Sequence, residues 1–211
     1  MNSLLIFGAG GHAKVVLEAV NMNNQFERVT LVDRCDEKKT WFGNEVLCEN
    51  KCKIEDLLSE FTHAFIAIGK NRFRLERMRE LRAIGFRIPT IVHPQAMVSP
   101  SAKIKEGVFV NAGAVINADS EIGSGAIINT GAIIDHDCVV SDGVHVSPGA
   151  VLGGSVFVGE TAWICLGAKV INNISIGRHS IVAAGSVVVR DVDENVMVAG
   201  VPAVKKKMLT Y

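Results

Sequence analysis

The chain has 211 residues and carries 22 basic and 22 acidic side chains, so its formal net charge is zero. A chain of this length forms one large or two small domains and buries about 70% of its unfolded surface. Zero net charge argues against a nucleic-acid binder or a binder of anionic membranes, which normally carries a basic excess. No apolar run approaches the roughly 18 residues of a membrane span, and the first residues lack the basic region of a secretory signal.

The cysteines favour a reducing environment. There are five of them, an odd number, and Cys48 and Cys52 are separated by three residues rather than by the two of a zinc ribbon. Both a disulfide framework and a zinc site are therefore disfavoured, and we expect a cytoplasmic protein.

The first 93 residues predict alternating strands and helices. An apolar strand runs into glycines, a helix follows, a second strand ends on Asp33, and a third strand precedes a helix that Gly85 closes. This order predicts a small Rossmann-like parallel sheet with right-handed crossovers. The sequences of the five elements are SLLIF, HAKVVLEAVNMNN, RVTLVD, HAFIAIG and NRFRLERMRELRAIG.

A glycine-rich loop, GAGGHA at residues 8–13, joins the first predicted strand to the first helix. It nearly matches the G-x-G-x-x-[GA] motif, which brings the backbone close to a phosphate at a helix N-terminus. Asp33 follows about 20 residues later, where a carboxylate accepts hydrogen bonds from a ribose or a base edge. Because the predicted sheet has only three or four strands, we expect a site for one nucleotide rather than for a dinucleotide. His12 is the candidate side chain that donates to this ligand.

From residue 95 to residue 190 the chain divides into sixteen hexads without an insertion. Every hexad has Val, Ile or Leu at its fourth position and a small or compact residue at its second, and half of them begin with glycine. A period of six fits neither a helix nor an ordinary amphipathic strand, but it fits short strands that bend at regular corners. Three hexads close one triangular coil, so the pattern predicts about five coils of an all-β parallel β-helix over residues 94–211.

Two histidines of the repeat are candidates for acid–base chemistry. His136 ends its hexad at a corner, and His145 occupies an outward third position, where a side chain meets solvent or another subunit. The flat faces of such a prism pack as a trimer, and a histidine in a cleft between subunits is suited to proton transfer near neutral pH. Cys138 occupies an inward second position, so we expect it to pack in the core rather than carry an acyl group.

Several segments together resemble one family: GAGGHAKVV, the uninterrupted hexads, IIDHDCVVSDGVHVSPGA and VAGVPA. The family is that of bacterial hexapeptide acetyltransferases that acetylate nucleotide-linked 4-amino-4,6-dideoxysugars, and it is closely similar to the sialic acid O-acetyltransferases. The resemblance covers nearly the whole chain. It implies an N-terminal domain that holds the nucleotide sugar, a left-handed β-helix, and a homotrimer with acetyl-CoA between neighbouring coils.

Residue by residue, the resemblance makes His136 the general base and places His145 beside the acetyl thioester. Some relatives have Glu directly after the base, to hold and polarise it. Asp137 is one methylene shorter, which leaves open whether it contacts the imidazole. The other assignments are Gly10, Gly11 and His12 around the phosphates, Asp33 and Arg34 near the base or ribose, Asn129 near the acceptor, and Gly154, Leu166 and Ala184 along the CoA arm.

The resemblance favours N-acetylation of the 4-amino group by direct transfer, with acetyl-CoA as co-substrate and no metal. The sequence does not separate a UDP-linked from a dTDP-linked sugar. O-acetylation of a sialic acid or a related sugar is the nearest alternative. A non-catalytic, nucleotide-binding trimeric scaffold is an alternative of another class. A zinc lyase is disfavoured because His136, His145 and His179 are irregularly spaced.

Overall fold

The computed structural model describes residues 2–35, 39–41 and 43–210, with the backbone alone at residue 39. Its first part is a five-stranded sheet whose order is β3-β4-β2-β1-β5. Neighbouring strands are parallel except β3 and β4, which are antiparallel. This confirms the predicted Rossmann-like sheet, which has five strands where three or four were expected. The elements are β1 (Ser3–Phe7), α1 (Gly11–Asn23), β2 (Arg28–Asp33), β3 (Lys39–Trp41), β4 (Asn44–Cys48), 3-10 turns at Glu49–Lys51 and Ile54–Ser59, β5 (His63–Ile66) and α2 (Asn71–Ile84).

The two helices cover opposite faces of this sheet because its strands are apolar on both. Alternate residues of β1 belong to different clusters: Leu4 and Ile6 pack with α1, whereas Leu5 and Phe7 pack with α2. A strand that is buried on both faces is typical of a parallel α/β sheet.

The second part is a parallel β-helix with three sheets, which we call faces 1, 2 and 3. From residue 91 to residue 170, each two-residue strand pairs with the strand 18 residues further along, one coil on. Face 1 contains β7 (Met97–Val98), β10 (Val115–Ile116), β13 (Ile133–Ile134), β16 (Val151–Leu152), β19 (Lys169–Val170) and β22 (Val187–Val188). Face 2 contains β8 (Lys103–Ile104), β11 (Glu121–Ile122), β14 (Val139–Val140), β17 (Phe157–Val158) and β20 (Ser175–Ile176). Face 3 contains β6 (Ile91–Val92), β9 (Phe109–Val110), β12 (Ile127–Ile128), β15 (His145–Val146), β18 (Trp163–Ile164), β21 (Ile181–Val182), β23 (Val196–Gly200) and the antiparallel β24 (Ala203–Met208).

The hexads map directly onto the coils. Strands occupy the third and fourth positions of every hexad, and the fourth-position aliphatics fill the prism together with the second-position residues. The first residue of each hexad from 107 to 185 has a positive φ, whether it is glycine or not. The glycine that begins half of the hexads therefore serves the left-handed backbone of the corners. We name the corners by the faces they join: corner 1/2, corner 2/3 and corner 3/1.

The first part of the chain lies on face 3. Phe109 and Ile127 point outward from that face into the cluster that contains the apolar residues of α1. The Asn23 side-chain amide donates to the carbonyl of Val92 at 2.8 Å. Helix α2 reaches corner 2/3, where the Met78 sulfur would lie 3.3 Å from a Cβ placed on Gly125. The face that carries His145 is thus covered by the same chain.

A disulfide joins Cys35 to Cys48, although the cysteine count and spacing disfavoured a disulfide framework. Asp33 pairs in register with Cys48, so the segment that leaves β2 brings Cys35 back beside the end of β4.

The predicted domain boundary at residue 93 stays a prediction, and β6 before it already pairs with β9 on face 3. Within the described residues, none of the helices combines the length and the apolar character that crossing a bilayer requires.

Candidate active site

A pocket of about 560 Å³ opens at the carboxyl ends of β1, β2 and β5. Strand β1 pairs with β2 on one side and with β5 on the other, and the crossover helices lie on opposite faces of the sheet. Such a switch point is where parallel α/β sheets bind their ligands. The predicted residues Gly10, Gly11, His12, Asp33 and Arg34 all line this pocket. The sequence prediction of one nucleotide-sized cradle therefore has a cavity of the right kind.

The glycines of the loop leave room for a ligand at the start of α1. Helix α1 begins at Gly11, and a Cβ placed on Gly10 or Gly11 would meet no atom within 4 Å. The first backbone N–H groups of the helix are oriented toward this open space, and the helix dipole favours an anion there. These properties fit a phosphate.

His12 adds a buried and unsatisfied polar atom to the same place. Its Nε2 lacks a hydrogen-bond partner among the described residues, and its ring packs edge-on against Phe109 at 5.4 Å. Burial, aided by the charge of Arg74, lowers the pKa of His12 to about 4. The ring is therefore neutral at pH 7, and one of its nitrogens is free to donate a hydrogen bond to a ligand oxygen.

Sequence reasoning missed the opposite wall of this pocket, which includes Lys70, Phe73 and Arg77. The Arg77 guanidinium lies 5.1 Å from the ring centre of Phe7 and forms an ion pair with Glu49. Sheet topology could have identified this wall. Residues that follow the third strand of a parallel sheet lie at the same edge as the glycine loop, so Gly69 and Lys70 could have been predicted as candidates.

His136 and Asp137 form an exposed imidazole–carboxylate pair at corner 1/2. His136 Nδ1 lies 2.7 Å from Asp137 Oδ2, which answers the question left by the shorter side chain. Asp137 is a corner residue with a φ of 59°, so its side chain leaves a left-handed backbone next to the ring. The hydrogen bond to Asp137, with the charge of Asp135, raises the pKa of His136 above its usual value. Because Nδ1 donates to the carboxylate, the unprotonated Nε2 is the basic nitrogen.

Gly154 lies one coil above His136 at the same corner. A Cβ on Gly154 would lie 2.5 Å from Cε1 and 2.6 Å from Nε2 of the His136 ring. The glycine is needed here for space rather than for its backbone angle, because Gly154 does not have a positive φ. The imidazole thus lies flat over the next coil, and the structure brings together His136, Asp137 and Gly154.

His145 lies on face 3 in a different environment. Its ring stacks on Trp163 with centroids 6.0 Å apart, and its Nε2 is 3.1 Å from Asn129 Nδ2. Asn129 Oδ1 accepts from the Thr130 N–H and from Asn111, so its amide nitrogen is the group that donates to His145. Burial is the main cause that lowers the pKa of His145 to about 3, with help from Arg74 and His12. The neutral ring therefore carries its proton on Nδ1, a buried donor without a partner in the described part of the chain.

A second cavity, of about 510 Å³, contains His145 and Trp163 and is mostly apolar. We call it the His145 cleft. Its other wall is the segment Ile68–Arg72, between β5 and the first turn of α2. His145 is half-buried, because the chain's own first part covers much of this face. Contact of His145 with another subunit stays a prediction. Ile68, Gly69 and Lys70 also line the nucleotide-sized pocket, so one segment separates the two cavities.

The predicted site residues fall at two corners of the prism. Asn129 lies at corner 3/1, as do Leu166, which is exposed, and Ala184. His136 and Gly154 lie at corner 1/2, on the other side of face 1. Within one chain, the structure does not bring His136 to the nucleotide-sized pocket, which lies in the first part of the chain.

Other chemistries find little support. Cys138 is buried, as predicted, and its Sγ donates to the carbonyl of Gly153 at 3.2 Å. Burial raises the pKa of the Cys165 thiol to about 11, which makes it a poor nucleophile. In the described ranges, no group of three or more His, Cys, Asp or Glu side chains is arranged to hold a metal ion.

Comparison with known proteins finds relatives that share this fold along nearly the whole chain. A family model described as the PglD N-terminal domain matches residues 3–81. A mutant of perosamine N-acetyltransferase from Caulobacter crescentus, solved in complex with CoA and GDP-perosamine, is 42% identical. The match covers 98% of each chain with a TM-score of 0.93. The chain belongs to the family of hexapeptide-repeat sugar N-acetyltransferases.

Other members of the family show the same relationship. The acetyltransferase domain of PglB from Neisseria gonorrhoeae FA1090, in complex with acetyl coenzyme A, is 35% identical over 98% of this chain and 100% of that one, with a TM-score of 0.88. UDP-N-acetylbacillosamine N-acetyltransferase from Bacillus subtilis (strain 168) is 40% identical over 120 residues. That match covers 53% of this chain and 52% of the other, so it spans about half the length of the curated relative.

Proposed function

We propose that the protein transfers the acetyl group of acetyl-CoA to the 4-amino group of a nucleotide-linked 4-amino-4,6-dideoxysugar. The observation that carries the proposal is the exposed His136–Asp137 pair on a chain that also has a nucleotide-sized pocket. The relatives support the substrate class: they are named for perosamine and for UDP-N-acetylbacillosamine, and they are solved with GDP-perosamine, CoA or acetyl coenzyme A.

His136 is the proposed general base. The amine lone pair attacks the thioester carbonyl, and Nε2 of His136 removes a proton from the nitrogen as the tetrahedral intermediate forms. The intermediate collapses with cleavage of the C–S bond, and the thiolate of CoA takes the proton from the imidazolium. Asp137 holds the ring and stabilises its protonated form. No covalent enzyme intermediate is needed.

His145 is the proposed donor to the thioester oxygen. Its Nδ1 proton is buried and unsatisfied within the described residues, and Asn129 fixes the tautomer that places it there. A donor of this kind stabilises the developing oxyanion by about 3–4 kcal/mol in other enzymes. Asn129 thus acts near the acceptor by holding His145 through this hydrogen bond.

The proposed binding sites divide between the two parts of the chain. Gly10, Gly11 and His12 hold the diphosphate, and Asp33 and Arg34 contact the ribose or base. Acetyl-CoA follows the corners along Gly154, Leu166 and Ala184. Asp33 and Arg34 do not decide between UDP, dTDP and GDP, so all three belong in the test.

We further propose a homotrimer, in which corner 1/2 of one subunit meets corner 3/1 of the next. Within one chain His136 lies away from the nucleotide-sized pocket, so a second chain must supply it. Face 1 between the two corners presents exposed Met97 and Ile133, as an interface requires. Co-expression tests this directly: mixed oligomers of inactive His136→Ala chains and weakly binding His12→Ala chains, assayed with the nucleotide sugar far below the raised KM of the His12 variant, should regain activity. Failure to regain any would contradict a site shared between subunits.

Release of CoA thiol tests the reaction. The enzyme is given acetyl-CoA with the UDP-, dTDP- or GDP-linked 4-amino-4,6-dideoxysugar, or with free sialic acid. Rapid release with one amino sugar supports the proposal and identifies the nucleotide. Release with sialic acid alone would replace it by O-acetylation. Nucleotide binding without acetyl-CoA binding would leave a scaffold. We also propose a cytoplasmic location. The three free cysteines favour it, whereas the Cys35–Cys48 disulfide is of a kind that a reducing cytosol disfavours.

A further inference from the structure

Arg74, in the first turns of α2, is buried at the junction of the two parts of the chain. Only 2% of its surface is exposed, and it is among the largest fully buried side chains. A buried guanidinium is costly unless its donors are satisfied, and arginine presents five of them in a rigid fork. Burial lowers the pKa of Arg74 to about 9, which still leaves it charged at pH 7.

Three of its bonds cross to the β-helix at corner 2/3, and one of them runs from Nη2 to the carbonyl of Val144 at 3.4 Å. The two shorter ones go to glycines: Nε donates to the carbonyl of Gly125 at 2.7 Å, and Nη2 donates to that of Gly143 at 2.8 Å. These glycines begin hexads that lie one coil apart, so one side chain ties two successive coils. Glycine at these positions gives the side chains of α2 room to approach.

The other bonds hold the segment that separates the two cavities. Nη1 donates to the carbonyls of Ile68 at 3.0 Å and Gly69 at 3.3 Å, and Nη2 donates to Asn71 Oδ1 at 3.1 Å. Asn71 extends the contact to the next coil, because its Nδ2 donates to the carbonyls of Thr161 and Ala162 at 3.0 and 3.1 Å. Three successive coils are therefore tied to one short segment.

The tied positions adjoin the proposed reacting groups. His145 lies two residues after Gly143, and Trp163 lies two residues after Thr161. The segment from Ile68 to Lys70 is the shared wall of the nucleotide-sized pocket and the His145 cleft. Every acceptor of Arg74 is a neutral oxygen, so its bonds supply geometry rather than an ion pair.

We propose that Arg74 is a positioning residue that, with Asn71, fixes the nucleotide domain in register with the His145 cleft. It touches neither substrate. It sets the distance between the bound sugar and His145 by holding their shared wall against the coil that carries the histidine. The effect on transfer rests on the proposed acetyltransferase function. The effect on the wall does not, and the two are measured separately.

The test compares Arg74→Lys and Asn71→Ala with Arg82→Met. Lysine keeps the charge of Arg74 but cannot reach both sets of carbonyls from one nitrogen, and the Asn71 variant leaves no buried charge unpaired. Arg82 lies on the same helix and also contacts the β-helix, through an exposed ion pair with Glu106 at 2.5 Å. It is a control for an ordinary contact between the same two parts.

We expect Arg74→Lys and Asn71→Ala to lower kcat by about 100-fold and 10-fold, because small displacements of a bound substrate have effects of that size. The Kd of UDP, dTDP and GDP, measured by calorimetry, should change by no more than about threefold, since the glycine loop and Asp33 are untouched. Arg82→Met should leave kcat unchanged. Unchanged kcat in both variants, or nucleotide affinity that falls in step with kcat, would overturn the positioning role.

Hydrogen exchange tests the wall without relying on turnover. In Asn71→Ala the amides of residues 66–73, 141–147 and 159–165 should exchange faster than in the wild type, while the rest of the β-helix and its melting temperature stay the same. Faster exchange along the whole chain, or exchange that is unchanged, would overturn the positioning role whether or not the wild-type protein transfers an acetyl group. Absence of transfer with a selectively loosened wall would instead refute the proposed function alone.

Discussion

The β-helix and the first part of the chain, which is the proposed nucleotide domain, carry their proposed functional side chains in opposite ways. In the β-helix these side chains occupy positions of a repeat that continues unbroken through them: His136 ends a hexad, Asp137 begins the next, and His145 takes an outward third position. In the nucleotide domain they occupy the places where regular structure stops, at the start of α1 and the end of β2.

This difference separates chemistry from folding in one part and joins them in the other. A corner side chain on the β-helix is not needed for the coil, because the core is built from the second and fourth positions. The glycine loop of the first part is both the proposed ligand cradle and the connection between a buried strand and a helix. Substitutions should therefore separate activity from stability more cleanly in the β-helix.

Removal of the proposed base should have the largest effect. We expect His136→Ala to lower kcat by about 1000-fold, the middle of the range for a general base, with no loss of melting temperature. The side chain is 54% exposed and contributes nothing to the core. A rate close to that of the wild type would eliminate His136 as the base, and an equal fall in melting temperature would contradict the separation of chemistry from folding.

On the nucleotide domain we expect His12→Ala to raise the KM of the nucleotide sugar by about 10- to 100-fold, the value of a hydrogen bond to a charged group. The KM of acetyl-CoA should not change. His63→Ala is a suitable control, because His63 begins β5 at the end of the sheet away from the pocket. The idea fails if both variants raise the KM equally.

Two neighbouring glycines sharpen the comparison within the β-helix. Gly154→Ala should displace the His136 ring and lower kcat by about tenfold with a small change in stability. Gly153→Ala should instead lower stability with little change in kcat, because its Cβ would lie 2.9 Å from the backbone nitrogen of Asn172 in the next coil. Kinetics and thermal unfolding of the pair distinguish the two effects. The same loss of kcat in both would mean that Gly154 has no special relation to the base.

The smallest expected effect is on the pH profile. Only neutral His136 accepts a proton, and its pKa is raised, so kcat/KM should rise with pH through a value above 6.5. Asp137→Asn removes the carboxylate charge and weakens the hydrogen bond that is the largest cause of that shift, so the rising limb should move to lower pH. His12 and His145 are neutral well below that range and should contribute no limb above pH 5. An unchanged limb in Asp137→Asn would show that the contact does not tune the base.

The sequence predicts the β-helix almost completely because the period of six has one structural meaning. The third and fourth residues of every hexad form the strands, and the first residues turn the corners. The glycine loop and Asp33 are also found together, because strand order brings the ends of β1 and β2 to one edge.

The remaining features depend on contacts between distant segments. Arg74 is the clearest case: an arginine in a helix is normally exposed, although it shares the buried side of α2 with Met78 and Leu81. The cover over His145 and the contact of Cys35 with Cys48 likewise follow from how the parts meet, which no local pattern encodes. Asp137 reaches His136 because of its own left-handed backbone rather than because of its side-chain length.

That backbone at Asp137 has a consequence for how the protein can change. The chain has glycine at eight hexad starts, and at Asp137 a side chain takes up a conformation that costs an L-residue about 1–2 kcal/mol, less for aspartate than for most. Laboratory selection for heat resistance alone would be free to replace Asp137 with glycine, whereas selection for turnover would keep the carboxylate. A protein selected only for heat resistance would thus gain stability and lose catalytic turnover through one substitution.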